Sequence, residues 1–162
     1  MITAPTISNI FLWRMVAETD GQYHIAYWSV FDDNNRLPNI THVPKGHEHL
    51  EDVQHFPETQ ALMWFAKDWH MAVPDDKDPG KVLFVDMRFA ELVTHDHKMP
   101  PFVWRLEPDP ENPDHLQFTS MSYRNGAPMK EAVKLLWQRI QGKAPNWMDA
   151  PWPWEKPQQN NP

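Results

Sequence analysis

The sequence predicts one α+β domain: a single domain built on a mainly antiparallel sheet of about five or six strands, with two or three helices packed on it. Three observations predict it. Short runs rich in aromatic and β-branched residues recur along the first 121 residues, turn signals such as Asp20-Gly21 separate them, and one strongly amphipathic stretch follows. A length of 162 residues fits one ordinary domain, with a domain proper over 1–143 and a Pro/Trp-rich C-terminal tail over 144–162, partly docked or disordered.

The first two strands are expected at 10–16 and 22–31, because Asp-Gly between two such runs is a strong hairpin signal. In the second run Tyr23, Ile25 and Tyr27 share one face while Ala26, Trp28 and Val30 share the other, so both faces of the sheet look partly covered. Residues 32–48 are polar and proline-bearing and predict a long loop. From His47 to Trp69 the apolar spacing is helical, with Pro57 opening a second helix where its missing N–H is harmless. A second hairpin is expected from 70–74 and 81–89 around the turn at 75–80, and two more strands from 101–107 and 115–121. The clearest element is a helix over 127–141, with Met129, Val133, Leu136, Trp137 and Ile140 as the apolar stripe that should pack on the sheet and Gly142 as its stop.

Composition narrows the function classes. The formal charge of −7 has the wrong sign for a domain that holds nucleic acid through its phosphates, so no nucleic-acid partner is expected. The absence of cysteine removes disulfides, thiolate nucleophiles and cysteine-ligated metals, so any metal site needs histidine and carboxylate. No run approaches the roughly 20 apolar residues of a spanning helix, and a soluble chain is expected. The excess is elsewhere: 17 prolines, which demand irregular connections, and 9 tryptophans, which divide into a core set (Trp13, Trp28, Trp64, Trp69, Trp104, Trp137) and a tail set (Trp147, Trp152, Trp154).

Candidate chemistry is sparse. His47 and His49 lie in a dense run of possible ligands, and His95 and His97 would share a face if that stretch were extended, but neither spacing matches a helical zinc motif and no metal site is expected in this domain. Asp86 and Arg88 are opposite charges two apart at the end of an apolar strand, which marks either a pocket edge or a structural ion pair with Arg14, Glu18 or Arg105. They are the candidate catalytic residues. Arg14, Trp152 and Trp154 are the candidate binding residues.

The succession Ala4-Pro5-Thr6 to Asn9-Ile10-Phe11-Leu12-Trp13-Arg14, then Tyr23 to Asp32, Leu62-Met63-Trp64-Phe65-Ala66-Lys67 and Val85-Asp86-Met87-Arg88-Phe89, resembles the soluble C-terminal portion of the YdjM-like inner-membrane metal-dependent hydrolases. The order and spacing run over roughly residues 5–107, and Asp86 and Arg88 match the family's most recognisable soluble motif. In that family transmembrane helices carry the His-rich motif from which hydrolase activity is inferred, and this chain has neither. The resemblance therefore implies a soluble, inner-membrane-associated accessory domain that recognises substrate or partner. Its partner would be the membrane portion of a parent protein, which would hold any divalent metal. Two alternatives are a stand-alone small hydrolase using Asp86, Arg88 and the paired histidines, and an interaction module that engages a partner through Trp147 to Trp154.

Overall fold

The computed structural model describes residues 1–33, 39–78, 80–121, 128–143 and 147–155. Among these, ten strands form three antiparallel sheets accompanied by two α-helices, so the α+β, antiparallel character stands while the expected single sheet of five or six strands is corrected. The first sheet has the order β1 (Ile2–Pro5), β2 (Leu12–Thr19), β3 (Gln22–Ser29), β4 (Ile40–Pro44). The Asp20-Gly21 turn closes β2 on β3 with Thr19 opposite Gln22, and Gly21 takes the left-handed φ of 74° that such a turn requires.

Four strands are absent from the sequence expectation: a two-stranded ribbon over 92–99, and β1 and β4, which flank this sheet. Both end in proline, and a proline at a strand end on a sheet edge costs no ladder hydrogen bond. The segment expected to be all loop from 32 to 48 therefore contains an edge strand; residues 34–38 within it lie outside the described residues.

The second sheet has the order β10 (Leu116–Met121), β9 (Val103–Pro108), β6 (Val82–Asp86), β5 (His70–Pro74). Both faces of its β5–β6 part are covered, whereas β10 is exposed along most of its length. Met71, Leu83, Val85 and Val103 share the larger core with Leu12, Val16, Tyr23, Ile25 and Val43 of the first sheet. Ala72, Phe84 and Leu106 point the other way, into a second core closed by Leu50, Ala66 and Leu62. Covering on both sides explains why β6 reads as a continuous apolar run rather than an alternating one.

Helix α1 (Pro57–Ala66) is shorter than the helical spacing implied. A 3₁₀ turn over His47–Leu50 precedes it, Pro57 occupies its first turn, and Lys67 and Asp68 end it with left-handed φ values of 51° and 62°. The chain joins the sheets at Gly46, where a Cβ would meet the Ala72 carbonyl oxygen at 2.0 Å; only glycine fits there. A two-stranded ribbon, β7 (Leu92–Val93) and β8 (Lys98–Met99), packs beside α2 (Met129–Ile140) through Leu92, Met99 and Ala132.

Candidate functional site

Helix α2 is where the structure departs most usefully from the sequence pattern. Its buried face is Ala132, Leu135, Arg139 and Ile140, whereas Val133 and Trp137 of the expected core stripe are 55% and 57% exposed. A buried arginine sets the rotation. Arg139 donates to both carboxylate oxygens of Asp32, at 2.6 and 2.7 Å, and to the Tyr27 carbonyl at 3.0 Å, while the Ser29 hydroxyl donates to the Ile140 carbonyl. The C-terminal turn of α2 is thereby fixed to the end of β3, with Met129, Val133 and Trp137 left on the outside.

Opposite this face lies the connection from β1 to β2. Asn9 holds it together: its Oδ1 accepts from the backbone N–H groups of Phe11 and Leu12 at 3.0 and 2.8 Å, and its Nδ2 donates to the Thr6 hydroxyl at 2.6 Å. With the loop's polar needs met internally, its apolar side chains are displayed, Ile10 at 70% exposure and Phe11 at 42%. Phe11 in turn lies 5.5 Å from the half-exposed Phe31, ring centre to ring centre. Between loop and helix runs an apolar groove of about 900 Å³, walled by Ile7, Ile10 and Phe11 on one side and Val133, Leu136 and Trp137 on the other. None of its described lining residues is titratable.

Residues 5–7 also line a second cavity of about 570 Å³, walled by Pro101, Phe89, Phe102 and Arg88. The Asp86–Arg88 motif is thus at the edge of an apolar surface. Arg88 donates from Nε and Nη2 to the fully buried Asp86 carboxylate, the latter at 2.6 Å, and its guanidinium lies 4.8 Å from the Phe65 ring and 5.3 Å from that of Phe89. Asp86 also accepts from the Arg88 backbone N–H at 3.0 Å. The two residues pair with each other, while Arg14 pairs with Glu91, Glu18 with Lys45 and Arg105 with Asp75.

Arg14 is buried at the centre of a charged cluster. Its Nε lies 3.1 Å from Glu91 and 3.1 Å from the Tyr27 hydroxyl, and it donates to the Met87 carbonyl at 2.6 Å. Burial, reinforced by the Glu91 carboxylate, pushes the Tyr27 phenol well above its ordinary value. Residues 147–155 close this cluster from outside: Trp147 packs edge-on against Tyr27, and the buried Lys98 donates to the Ala150 carbonyl with its ammonium 5.3 Å from the Trp152 ring. Burial lowers the pKa of Lys98. Trp152 is buried in the larger core and stacks on Trp154 at 5.2 Å. Trp152 thus belongs to the core and Trp154 packs partly buried against it; residues 144–146 and 156–162 of the expected tail lie outside the described residues.

The histidine candidates do not converge. His47 stacks on His70 at 4.5 Å, with its Nε2 3.0 Å from the His70 carbonyl, and His49 neighbours Glu48 at 3.9 Å. His95 and His97 sit in the tight turn between β7 and β8, held by Thr94 and by Glu131, so they do not alternate along a strand. Among the described residues no group of three or more His, Asp or Glu side chains is arranged to hold a metal ion.

Compared with models of protein families, with curated proteins and with solved structures, the chain finds no match. Among the described residues no helix is long and apolar enough to cross a membrane. Sequence reasoning missed the groove. The signal was present in the Ile7, Ile10 and Phe11 run, but nothing local says that Asn9 satisfies the backbone and turns those side chains outward.

Proposed function

We propose that this chain is an accessory recognition domain of a membrane-bound metal-dependent hydrolase, and that the apolar surface between residues 5–11 and α2 is the face it turns to the membrane portion and the lipid around it. One observation carries the reading: a long apolar groove with exposed Ile10, Phe11, Val133 and Trp137 and no titratable lining residue among those described. Contiguous exposed apolar surface of this kind marks protein or membrane contact, and it offers binding without acid–base chemistry. Amphipathic indole is favoured at a lipid interface, which suits Trp137. The succession of motifs from Ala4 to Phe89, within a resemblance over roughly residues 5–107, supports the same family setting. With a formal charge of −7, the attraction must be apolar rather than electrostatic.

The test is cosedimentation with phosphatidylcholine vesicles, combined with quenching of tryptophan fluorescence by bromine-labelled lipid. Binding and quenching are expected, weakened by added phosphatidylglycerol because the chain is acidic and abolished in Phe11→Ser/Trp137→Ser. Absence of quenching in the wild type, or equal quenching in the double variant, would count decisively against the reading.

A further inference from the structure

We propose that His24 and His42 form a two-imidazole site for a borderline divalent transition cation, with copper(II) favoured over zinc. The pair is a product of strand register. β3 and β4 place His24 directly opposite His42, so both side chains leave the same face of the sheet. Their Nδ1 atoms approach to 2.8 Å, with the rings at 89° and their centres 4.8 Å apart. His42 is exposed and β4 is an edge strand, which gives the ion and its waters access; on the other side His24 faces the small Ala17 of β2.

The hydrogen bond brings the two Nδ1 atoms within reach of one ion, each ring turning so that both lone pairs converge on it. Copper(II) leads the affinity order of divalent cations for nitrogen sites, ahead of nickel and zinc.

Orientation is supplied by Thr19, whose Oγ1 lies 2.8 Å from His24 Nε2. With Nε2–H donating to that hydroxyl, Nδ1 of His24 carries the free lone pair, the outer hydrogen bond that ligating histidines usually need. In this tautomeric arrangement the proton shared between the two Nδ1 atoms comes from His42. When the cation takes its place the proton moves to His42 Nε2, so no proton is released and the site gains the two positive charges of the ion. Waters complete the coordination, and the bound ion ties edge strand β4 to β3.

Calorimetric titration of the purified chain with copper(II), nickel(II) and zinc(II), each alone, tests the site. One copper site is expected, with affinity falling from copper to nickel to zinc and a copper paramagnetic resonance spectrum split by imidazole nitrogen. His24→Gln, His42→Gln and the double variant should each lose at least tenfold in copper affinity. Because both rings are on the surface, the metal-free variants should melt near the wild type, and copper should raise only the wild-type melting temperature. His95→Gln/His97→Gln should bind copper as the wild type does. Unchanged copper affinity in the His24/His42 double variant, or zinc bound as tightly as copper, overturns the proposal.

Discussion

Arg139 binds Asp32 through two short hydrogen bonds across 107 residues of sequence, and this pair decides which face of α2 meets solvent. Arg139 is 1% exposed, so its charge depends on Asp32 for compensation.

Asp32→Asn should therefore lower stability at neutral pH by about 3 kcal/mol, since it leaves a buried guanidinium without its counter-charge. Burial raises the Asp32 carboxyl, but the Arg139 hydrogen bonds and the Ser29 N–H outweigh it and hold the group below the usual carboxylate range. A lowered folded value means the stabilisation is complete above the unfolded value near 4 and is lost as pH falls through the folded one. Urea unfolding of the two proteins across this range should show a gap that is full at pH 6 and shrinks below pH 4. A gap that persists unchanged at low pH would contradict the assignment.

His70 supplies a second pH dependence, of opposite chemical type. It is buried between His47 and Phe84, with stacking distances of 4.5 and 4.6 Å, and burial together with His47 lowers its pKa to about 4. The unfolded chain binds this proton near pH 6.5 and the folded chain does not, so stability should fall as pH drops from about 6.5 towards 4, by on the order of 2 kcal/mol. His115, raised by the Glu58 carboxylate, acts in the opposite direction, so the comparison must be with His70→Gln rather than with pH alone. Thermal melts at pH 7.5 and 4.5 should differ less in that variant; an identical difference would contradict the prediction.

The segment 147–155 should behave as part of the core. Trp147 and Trp152 are 7% and 3% exposed, and the backbone N–H of Trp152 donates to the Glu155 carboxylate at 2.7 Å. Trp152→Ala is expected to cost about 3 kcal/mol, and a chain ending at Lys143 should melt several degrees lower while exposing Lys98. Calorimetry decides it: an unchanged melting temperature would mean that the segment contributes nothing to the fold.

Much of the fold was legible because its signals are local. Asp20-Gly21 announces the β2–β3 hairpin, and Pro57 and Gly142 mark a helix start and a helix stop. β1 and β4 were hidden by their prolines, which argue for loop unless the strand is known to lie at an edge, and β7 and β8, two residues each, are too short to carry a period-2 pattern. The span of α2 could be read but its rotation could not, because Arg139 looks like a surface residue until Asp32 is brought to it. For the same reason Trp137 reads as core and Asp86–Arg88 as a possible pocket. The groove, the cluster around Arg14 and the His24–His42 pair all depend on register and long-range contacts that spacing alone does not contain.

The most direct test of the proposed docking face uses the chain's lack of cysteine. A single nitroxide label at Val133→Cys, on the exposed face of α2, is compared with one at the exposed Gln117→Cys, on β10. Oxygen collisions report lipid immersion and water-soluble nickel chelate collisions report water. With phosphatidylcholine vesicles the account predicts that position 133 gains oxygen and loses nickel-chelate accessibility while position 117 stays in water. Equal water accessibility at both positions in the presence of saturating vesicles would contradict it.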